Sequence, residues 1–375
     1  MMGQERTAGD AGFITPKCFT RQQAERVESS RGGLLIASCH SGGCLAERVA
    51  ARYQAFLSEA GSEGHVRHLS GVDFQFSDSE TCVRLDVDVS GYDVFLFQDL
   101  YAPASGRSVD QNYMAFLTAA RAFREWGANY VTGVLPYLAY ARQDKPTRGE
   151  REPTTAQLMA DLSIKAGVSR LVTWHPHACQ IHGFYGGVPV DALDPLPMFT
   201  EAFRRFEGRD DVIVVAPDAG ASKLVTHVGR ALNLQCAIAS KYRPRREVAV
   251  ITEIIGDFKG KRTAIVLDDM ISSGGTMEAV IETLATSKGI EEIIIGVSHN
   301  LCREVALERI AWLRDGCNLR GVVVTNSIPQ SRAFEDLPFL SVKCLSDTLT
   351  RVINRIHYNR SVSGLSQRGT FESQV

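Results

Sequence analysis

The 375-residue chain reads as an α/β protein of two mainly parallel sheets flanked by helices. Three observations predict this. Short, nearly continuous apolar runs alternate with stretches at helical spacing, the pattern of parallel strands covered on both faces. Twice, an apolar run ends in acid and a small-residue turn that opens a helix, at Asp218–Lys223 and at Asp268–Thr276. The series of runs is also too long for one small sheet, so the chain divides into two units.

The elements follow in order. Residues 1–33 are rich in Gly, Arg, Glu, Gln and Ser without a sustained period, and read as a mobile extension. Leu34–Ala37 opens the apolar series as a strand, and Leu45, Val49, Tyr53, Phe56 and Leu57 follow at helical spacing. Val94–Phe97 is the next strand, with a helical stretch at Tyr113–Trp126 behind it. Further strands are expected at Tyr130–Leu135, Leu171–Trp174, Val212–Ala216, Ala264–Leu267, Ile293–Val297 and Val322–Thr325. Helices are expected at Thr155–Ala166, Ser222–Leu232, Met277–Leu284 and Arg303–Leu313. The Gly- and Pro-rich stretch Gly183–Pro197 is the boundary candidate, giving units over 34–188 and 189–358. Residues 359–375 turn polar again and read as a disordered tail.

Composition narrows the function classes. Hydrophobic residues at 44% and charged residues at 22% are those of an ordinary globular protein. A net charge of −2 argues against broad electrostatic capture of nucleic acid. No run of about 18 apolar residues offers a membrane span, and the polar N-terminus lacks a signal-peptide core. Nine scattered cysteines, an odd number, fit reduced thiols in the cytoplasm.

Ligands in open α/β sheets gather at the carboxyl ends of strands, so the residues after each apolar run are the site candidates. The segment from Ile265 to Thr276 is the most informative. Its Ser272, Ser273, Gly274, Gly275 and Thr276 make an anion cradle, where backbone N–H groups and a helix N-terminus converge on phosphate. Asp268 and Asp269 can accept hydrogen bonds from sugar hydroxyls, and phosphate with a vicinal diol means a phosphorylated pentose. Asp218, Ala219, Gly220, Ser222 and Lys223 repeat the theme, as an acid for a metal ion and backbone for pyrophosphate. Ser222 as a plain helix cap is the alternative there.

The remaining segments are less specific one by one. Arg142, Gln143 and the charged loop beyond them suit a polyphosphate, or are simply a solvated surface. His175, His177 and Cys179 resemble zinc ligands without a fourth partner; core or capping roles, or one imidazole near a magnesium–nucleotide complex, stand beside that reading. Lys241, Arg243, Arg245 and Arg246 form either a cationic arm for polyphosphate transfer or a basic hairpin. Phe76, Asp78 and Glu80 would share one face of a strand and suit a purine, with a strand-end turn as the alternative.

Taken together, these segments resemble the ribose-phosphate pyrophosphokinase (phosphoribosyl pyrophosphate synthetase) family over about Leu34 to His357. The matches are FSDSETCV at Phe76–Val83, ARQDK at Ala141–Lys145, HACQIHGF at His177–Phe184, PDAGASK at Pro217–Lys223, DDMISSGGT at Asp268–Thr276 and TNSIPQ at Thr325–Gln330. The resemblance implies two phosphoribosyltransferase-type domains with the active site between them. It also implies transfer of the β,γ-diphosphoryl group of ATP to the 1-hydroxyl of ribose 5-phosphate with Mg²⁺, leaving AMP. On matching positions, Ser272–Thr276 would hold the sugar phosphate and Asp268 and Asp269 the ribose hydroxyls. Arg142 and Gln143 would hold ATP, with His177 and Asp218 near its Mg²⁺. Pyrophosphate would meet Asp218, Ala219, Gly220 and Lys223. Phe76, Asp78 and Glu80 match adenine-side residues that reach across a subunit contact in a homo-oligomer, and Lys241 and Arg243 match the basic pair of a mobile catalytic loop.

Departures from the family pattern are Ser272 and His175 at positions where acids are common, and Leu224 where a second basic residue is frequent. The 146–153 loop is one residue longer, and Tyr101–Asp110 reads as a small insertion. The competing functions are a non-catalytic regulatory homologue and a phosphoribosyltransferase. Retention of Lys241, Arg243, His177 and Asp218 weighs against the first. The Arg142 and Phe76 segments, needless in a phosphoribosyltransferase, weigh against the second.

Overall fold

The computed structural model describes residues 27–245 and 248–366. The first unit contains β1 (Glu28–Ser29), β2 (Gly32–Ser38), α1 (Gly43–Glu59), β3 (Arg67–Leu69), β4 (Asp73–Gln75), β5 (Thr81–Val83) and β6 (Tyr92–Phe97). It continues through α2 (Val109–Glu125), β7 (Tyr130–Val134), α3 (Thr155–Ala166), β8 (Arg170–Trp174) and β9 (Val190–Leu193). Its sheet runs β2-β6-β7-β8-β9, all parallel. β3 lies parallel and β1 antiparallel on β2, and β4 and β5 form a separate hairpin.

The second unit contains α4 (Leu196–Phe203), β10 (Val212–Ala216), α5 (Ser222–Ala231), β11 (Gln235–Arg245), β12 (Val248–Ile255) and β13 (Thr263–Ile271). After these come α6 (Gly275–Ser287), β14 (Glu292–Asn300), α7 (Glu304–Gly316), β15 (Leu319–Thr325), β16 (Leu340–Lys343) and α8 (Ser346–His357). The sheet order is β12-β11-β10-β13-β14-β15-β16, parallel throughout except for the β11–β12 edge hairpin.

Both sheets are buried on two faces because their strands are apolar at successive positions, as in β10, where all five residues are buried. α2 starts at a capping box, in which Gln111 N–H donates to Ser108 Oγ at 3.1 Å and Ser108 N–H to Gln111 Oε1 at 2.9 Å. Its Tyr113, Phe116, Ala119, Ala120 and Phe123 then cover one face of the first sheet. α1 and α8 cover the other face through Leu45, Val49, Tyr53, Leu349, Val352, Ile353 and Ile356.

Three segments depart from the expected division. β9 lies beyond residue 188 but pairs with β8, because Val190 and Leu193 complete the buried edge of that sheet. Residues 27–33 were expected in the extension, yet Val27 is buried and β1 pairs with β2. Arg31 there reaches the buried carboxylate of Asp93, with Nε at 2.9 Å and Nη2 at 3.0 Å. At the other end, α8 leaves the second unit to pack on α1, and Val362 and Leu365, expected in the tail, join the same cluster. His357 Nδ1 meets Asp93 from that side at 2.9 Å. The rest of the expected extension and tail, 1–26 and 367–375, lies outside the described residues.

Candidate active site

The carboxyl ends of the two parallel sheets face each other, and the site is built where they meet. β13 carries its apolar run into Asp268 and Asp269 and continues to Ile271, beyond the expected end at Leu267. The ladder with β14 extends with it, pairing Asp268 with Val297 and Met270 with His299. Both acids therefore stand on a hydrogen-bonded strand.

Ser272, Ser273 and Gly274 form the turn, and Gly275 and Thr276 begin α6. Gly274 caps the helix at φ 80°, the left-handed region that glycine enters without strain. The first N–H groups of a helix have no intrahelical partner, so this turn presents donors and partial positive charge to an anion. Arg309, which the sequence reading did not single out, holds the turn from behind. Its Nη1 donates to the Ser273 carbonyl at 2.7 Å, and its Nε pairs with Glu278 at 2.8 Å. No local motif marks that arginine; only the packing of α7 against α6 brings it there.

After β10, Asp218 folds back on its own loop, accepting from Gly220 N–H at 2.8 Å and Ala221 N–H at 3.4 Å. Ser222 is the first helical residue, not the cap: Ala221 occupies the cap, and Ser222 Oγ donates to the Ala219 carbonyl at 2.7 Å. Lys223 is exposed. Leu224 packs against the apolar cluster that contains Phe199 and Val225.

The first unit supplies the facing groups. His177 Nδ1 lies 2.5 Å from Asp269 Oδ2, bridging the two units. That hydrogen bond raises the His177 pKa above the ordinary imidazole value. Burial alone would push the Asp269 carboxyl up, but the hydrogen bond and charge of His177 outweigh it, and the carboxyl sits below its usual range. Asp268 goes the other way: desolvation first, then repulsion from Asp269 and Asp218, pushes it well above the ordinary carboxylate value. Arg142 lies within electrostatic reach of His177 and of the buried phenol of Tyr137. Gln143 is exposed, and its carbonyl accepts from Ala156 N–H at 3.2 Å, tying the loop to the start of α3.

His175 and Cys179 do not join His177 around a common point. His175 Nδ1 bonds Ser298 Oγ at 2.7 Å, and Cys179 is exposed. Among the described residues no three His, Cys, Asp or Glu side chains form a metal cage.

One group of expected site residues stands apart. Phe76, Asp78 and Glu80 do not share a strand face; they form the tip of the β4–β5 hairpin, corrected from strand to turn. Phe76 N–H donates to the Glu80 carbonyl at 2.9 Å, Glu80 N–H donates to Asp78 Oδ1 at 3.1 Å, and Ser79 has φ 75°. The short polar side chains close the turn themselves. No described contact joins this tip to Asp268–Thr276, and Phe76 is 52% exposed. Lys241 and Arg243 lie on the β11–β12 hairpin, with Lys241 opposite Ile251; their side chains lie outside the described part.

Strand-end acids, a glycine-capped turn and a histidine bridge lie between two mainly parallel sheets in an α/β protein of paired units. The comparisons with known proteins are specific. Residues 34–167 match the model of the N-terminal domain of ribose phosphate pyrophosphokinase, and residues 199–311 match the phosphoribosyl transferase domain. Ribose-phosphate pyrophosphokinase of Chromobacterium violaceum is 36% identical over 78% of this chain and 85% of its own length. That of Caldanaerobacter subterraneus subsp. tengcongensis is 37% identical over 77% of this chain and 87% of its own length. The crystal structure of phosphoribosylpyrophosphate synthetase from Mycobacterium smegmatis superposes with a TM-score of 0.73 at 30% identity, covering 86% of this chain and 98% of that one. The chain belongs to the ribose-phosphate pyrophosphokinase family.

Proposed function

We propose that the protein is a ribose-phosphate diphosphokinase, moving the β,γ-diphosphoryl group of ATP to the 1-hydroxyl of ribose 5-phosphate and releasing AMP and phosphoribosyl pyrophosphate. The observation that carries this reading is the 2.5 Å contact between His177 and Asp269. It joins the nucleotide-side segment of one unit to the sugar-phosphate loop of the other, so donor and acceptor can meet in one cleft.

In this reading Ser272–Thr276 hold the 5-phosphate, and Asp268 and Asp269 accept hydrogen bonds from the ribose hydroxyls. Arg142 and Gln143 hold the nucleotide polyphosphate, and Asp218, Ala219, Gly220 and Lys223 receive the pyrophosphoryl end. The 1-hydroxyl attacks the β-phosphorus in line, so no nucleophilic side chain is required. What the protein supplies is placement and positive charge, the latter from Lys241 and Arg243 on the β11–β12 arm. The exposed Phe76 tip suits an adenine contact with a neighbouring copy in a homo-oligomer.

Mg²⁺ fits the donor set, with His177 and Asp218 as the residues that would hold it. Asp268 and Asp218 repel each other electrostatically, a surplus of negative charge that a cation would relieve. Bound, Mg²⁺ neutralises polyphosphate charge and orients its oxygens.

The test is ATP with ribose 5-phosphate and Mg²⁺, followed by phosphorus NMR. Equal appearance of AMP and phosphoribosyl pyrophosphate is expected. ADP would mean single phosphoryl transfer, and ATP binding without turnover would make the chain a regulatory homologue; either overturns the proposal.

A further inference from the structure

Behind the His177–Asp269 bridge lies a polar network that the proposed chemistry does not use. Ser298, His299, Thr325 and Ser327 are each at most 1% exposed, at the ends of β14 and β15. His299 Nε2 lies 3.0 Å from the His175 carbonyl, and His175 Nδ1 lies 2.7 Å from Ser298 Oγ. A carbonyl only accepts, so Nε2 carries the proton of the neutral His299 ring, the form its burial favours, and Nδ1 is the acceptor nitrogen. Ser327 Oγ, 2.8 Å from Nδ1, then donates to it, and Thr325 Oγ1 donates to the Ser298 carbonyl at 2.7 Å. The His299 ring is thereby fixed in tautomer and in orientation.

The gripped residue is itself unusual. His175 has φ 41°, a conformation that residues with side chains rarely adopt. Its N–H donates to the Leu193 carbonyl at 3.0 Å, so the residue is held from both units. One proline separates it from His177, and the fixed φ of Pro176 leaves little slack between the two. Wherever the His175 backbone is set, the His177 side chain follows.

We propose that Ser298 and His299 are positioning residues, gripping the ring and carbonyl of His175 from the second unit and so presenting His177 to Asp269 and to the nucleotide–cation side of the cleft. The inference rests on the diphosphokinase reading for its kinetic consequence, but not for its geometric one.

The test uses the full chain with ¹³C-labelled histidine, the His177 signal being identified by its disappearance in His177→Gln. Ser298→Ala removes one oxygen, and His299→Leu removes the donor to the His175 carbonyl. Both are expected to shift the His177 signal and to lower kcat/KM for Mg·ATP by about 10- to 100-fold, the usual cost of losing a partner that orients a ligand. His299→Gln, whose carboxamide still donates, and Ser298→Thr, which keeps the hydroxyl, are expected to bring both readings back toward wild type. A His177 signal unmoved in Ser298→Ala and His299→Leu overturns the proposal, as does a Ser298→Thr protein that behaves like the alanine variant. If His299→Leu does not fold, Ser298→Ala alone decides. If the wild type makes no AMP, the diphosphokinase reading fails, and the NMR comparison still decides the positioning role.

Discussion

At the scale of single residues, the adjacent acids of β13 are opposites. Asp269 is held ionised by His177, whereas Asp268 is crowded by carboxylates. The sign of the pH dependence follows. A group with a raised folded pKa opposes folding as pH climbs above its unfolded value, because the unfolded chain loses the proton first. Asp268→Asn should therefore raise Tm at pH 8 and change it little near pH 4, while weakening ribose 5-phosphate binding; melting curves at the two pH values check this. The His177–Asp269 pair works in the other sense, stabilising between the lowered Asp269 value and the raised His177 value and fading outside that window. On the β11–β12 arm, Lys241→Ala and Arg243→Ala should each lower kcat by roughly 10²-fold with little change in KM. Steady-state kinetics at saturating Mg²⁺ would show it, and unchanged turnover in both would remove them from the catalytic role. Asp268, Asp269 and Asp218 were legible in the sequence because acids ending apolar runs have few structural reasons to be there. Arg309, Ser298 and His299 were not, because what matters about them is the partner they meet across space.

At the scale of elements, the turn before α6 depends on one backbone conformation. A Cβ on Gly274 would find open contacts, its nearest neighbours being Ala306 and Arg309 at 3.6 Å. The cost of Gly274→Ala is therefore torsional, about 1–2 kcal/mol. Urea unfolding should show that loss, and KM for ribose 5-phosphate should rise because the N–H groups no longer converge. Periodicity read β10 and α3 at their observed ends, since Val212–Ala216 and Thr155–Ala166 carry their full pattern locally. It stopped β13 at Leu267, because Asp268, Asp269 and Met270 break the apolar run while the ladder with β14 carries on regardless. It misread Phe76–Glu80 because an alternation of ring and acids looks like a strand when Ser79 is free to turn.

At the scale of the whole molecule, the described residues join the two units at the strand ends, where the His175 and His177 contacts lie and Leu301 and Ile328 enter the first unit's core, and again through α8 at the back. Ile353 and Val352 are fully buried against the first sheet, and Asn354 Nδ2 donates to Tyr53 Oη at 2.8 Å. Ile353→Ala should cost about 2–5 kcal/mol by opening a cavity in that layer. Chemical denaturation checks this, and the loss should appear in the unfolding of the first unit. Two sheets were legible from the count of apolar runs. The destination of α8 was not, for an amphipathic helix states that it has a partner and not which one.

That destination bears on how the protein is made. The first unit has its strands by Leu193, but the helix that seals one face of its sheet begins at Ser346. At ordinary elongation rates the ribosome needs on the order of ten seconds to supply it. Through that interval the apolar layer that includes Leu34, Ile36 and Phe95 has α1 over it but not α8. A stop codon just before Ser346 would therefore leave a polypeptide whose first unit lacks the cover that Leu349, Val352, Ile353 and Ile356 supply.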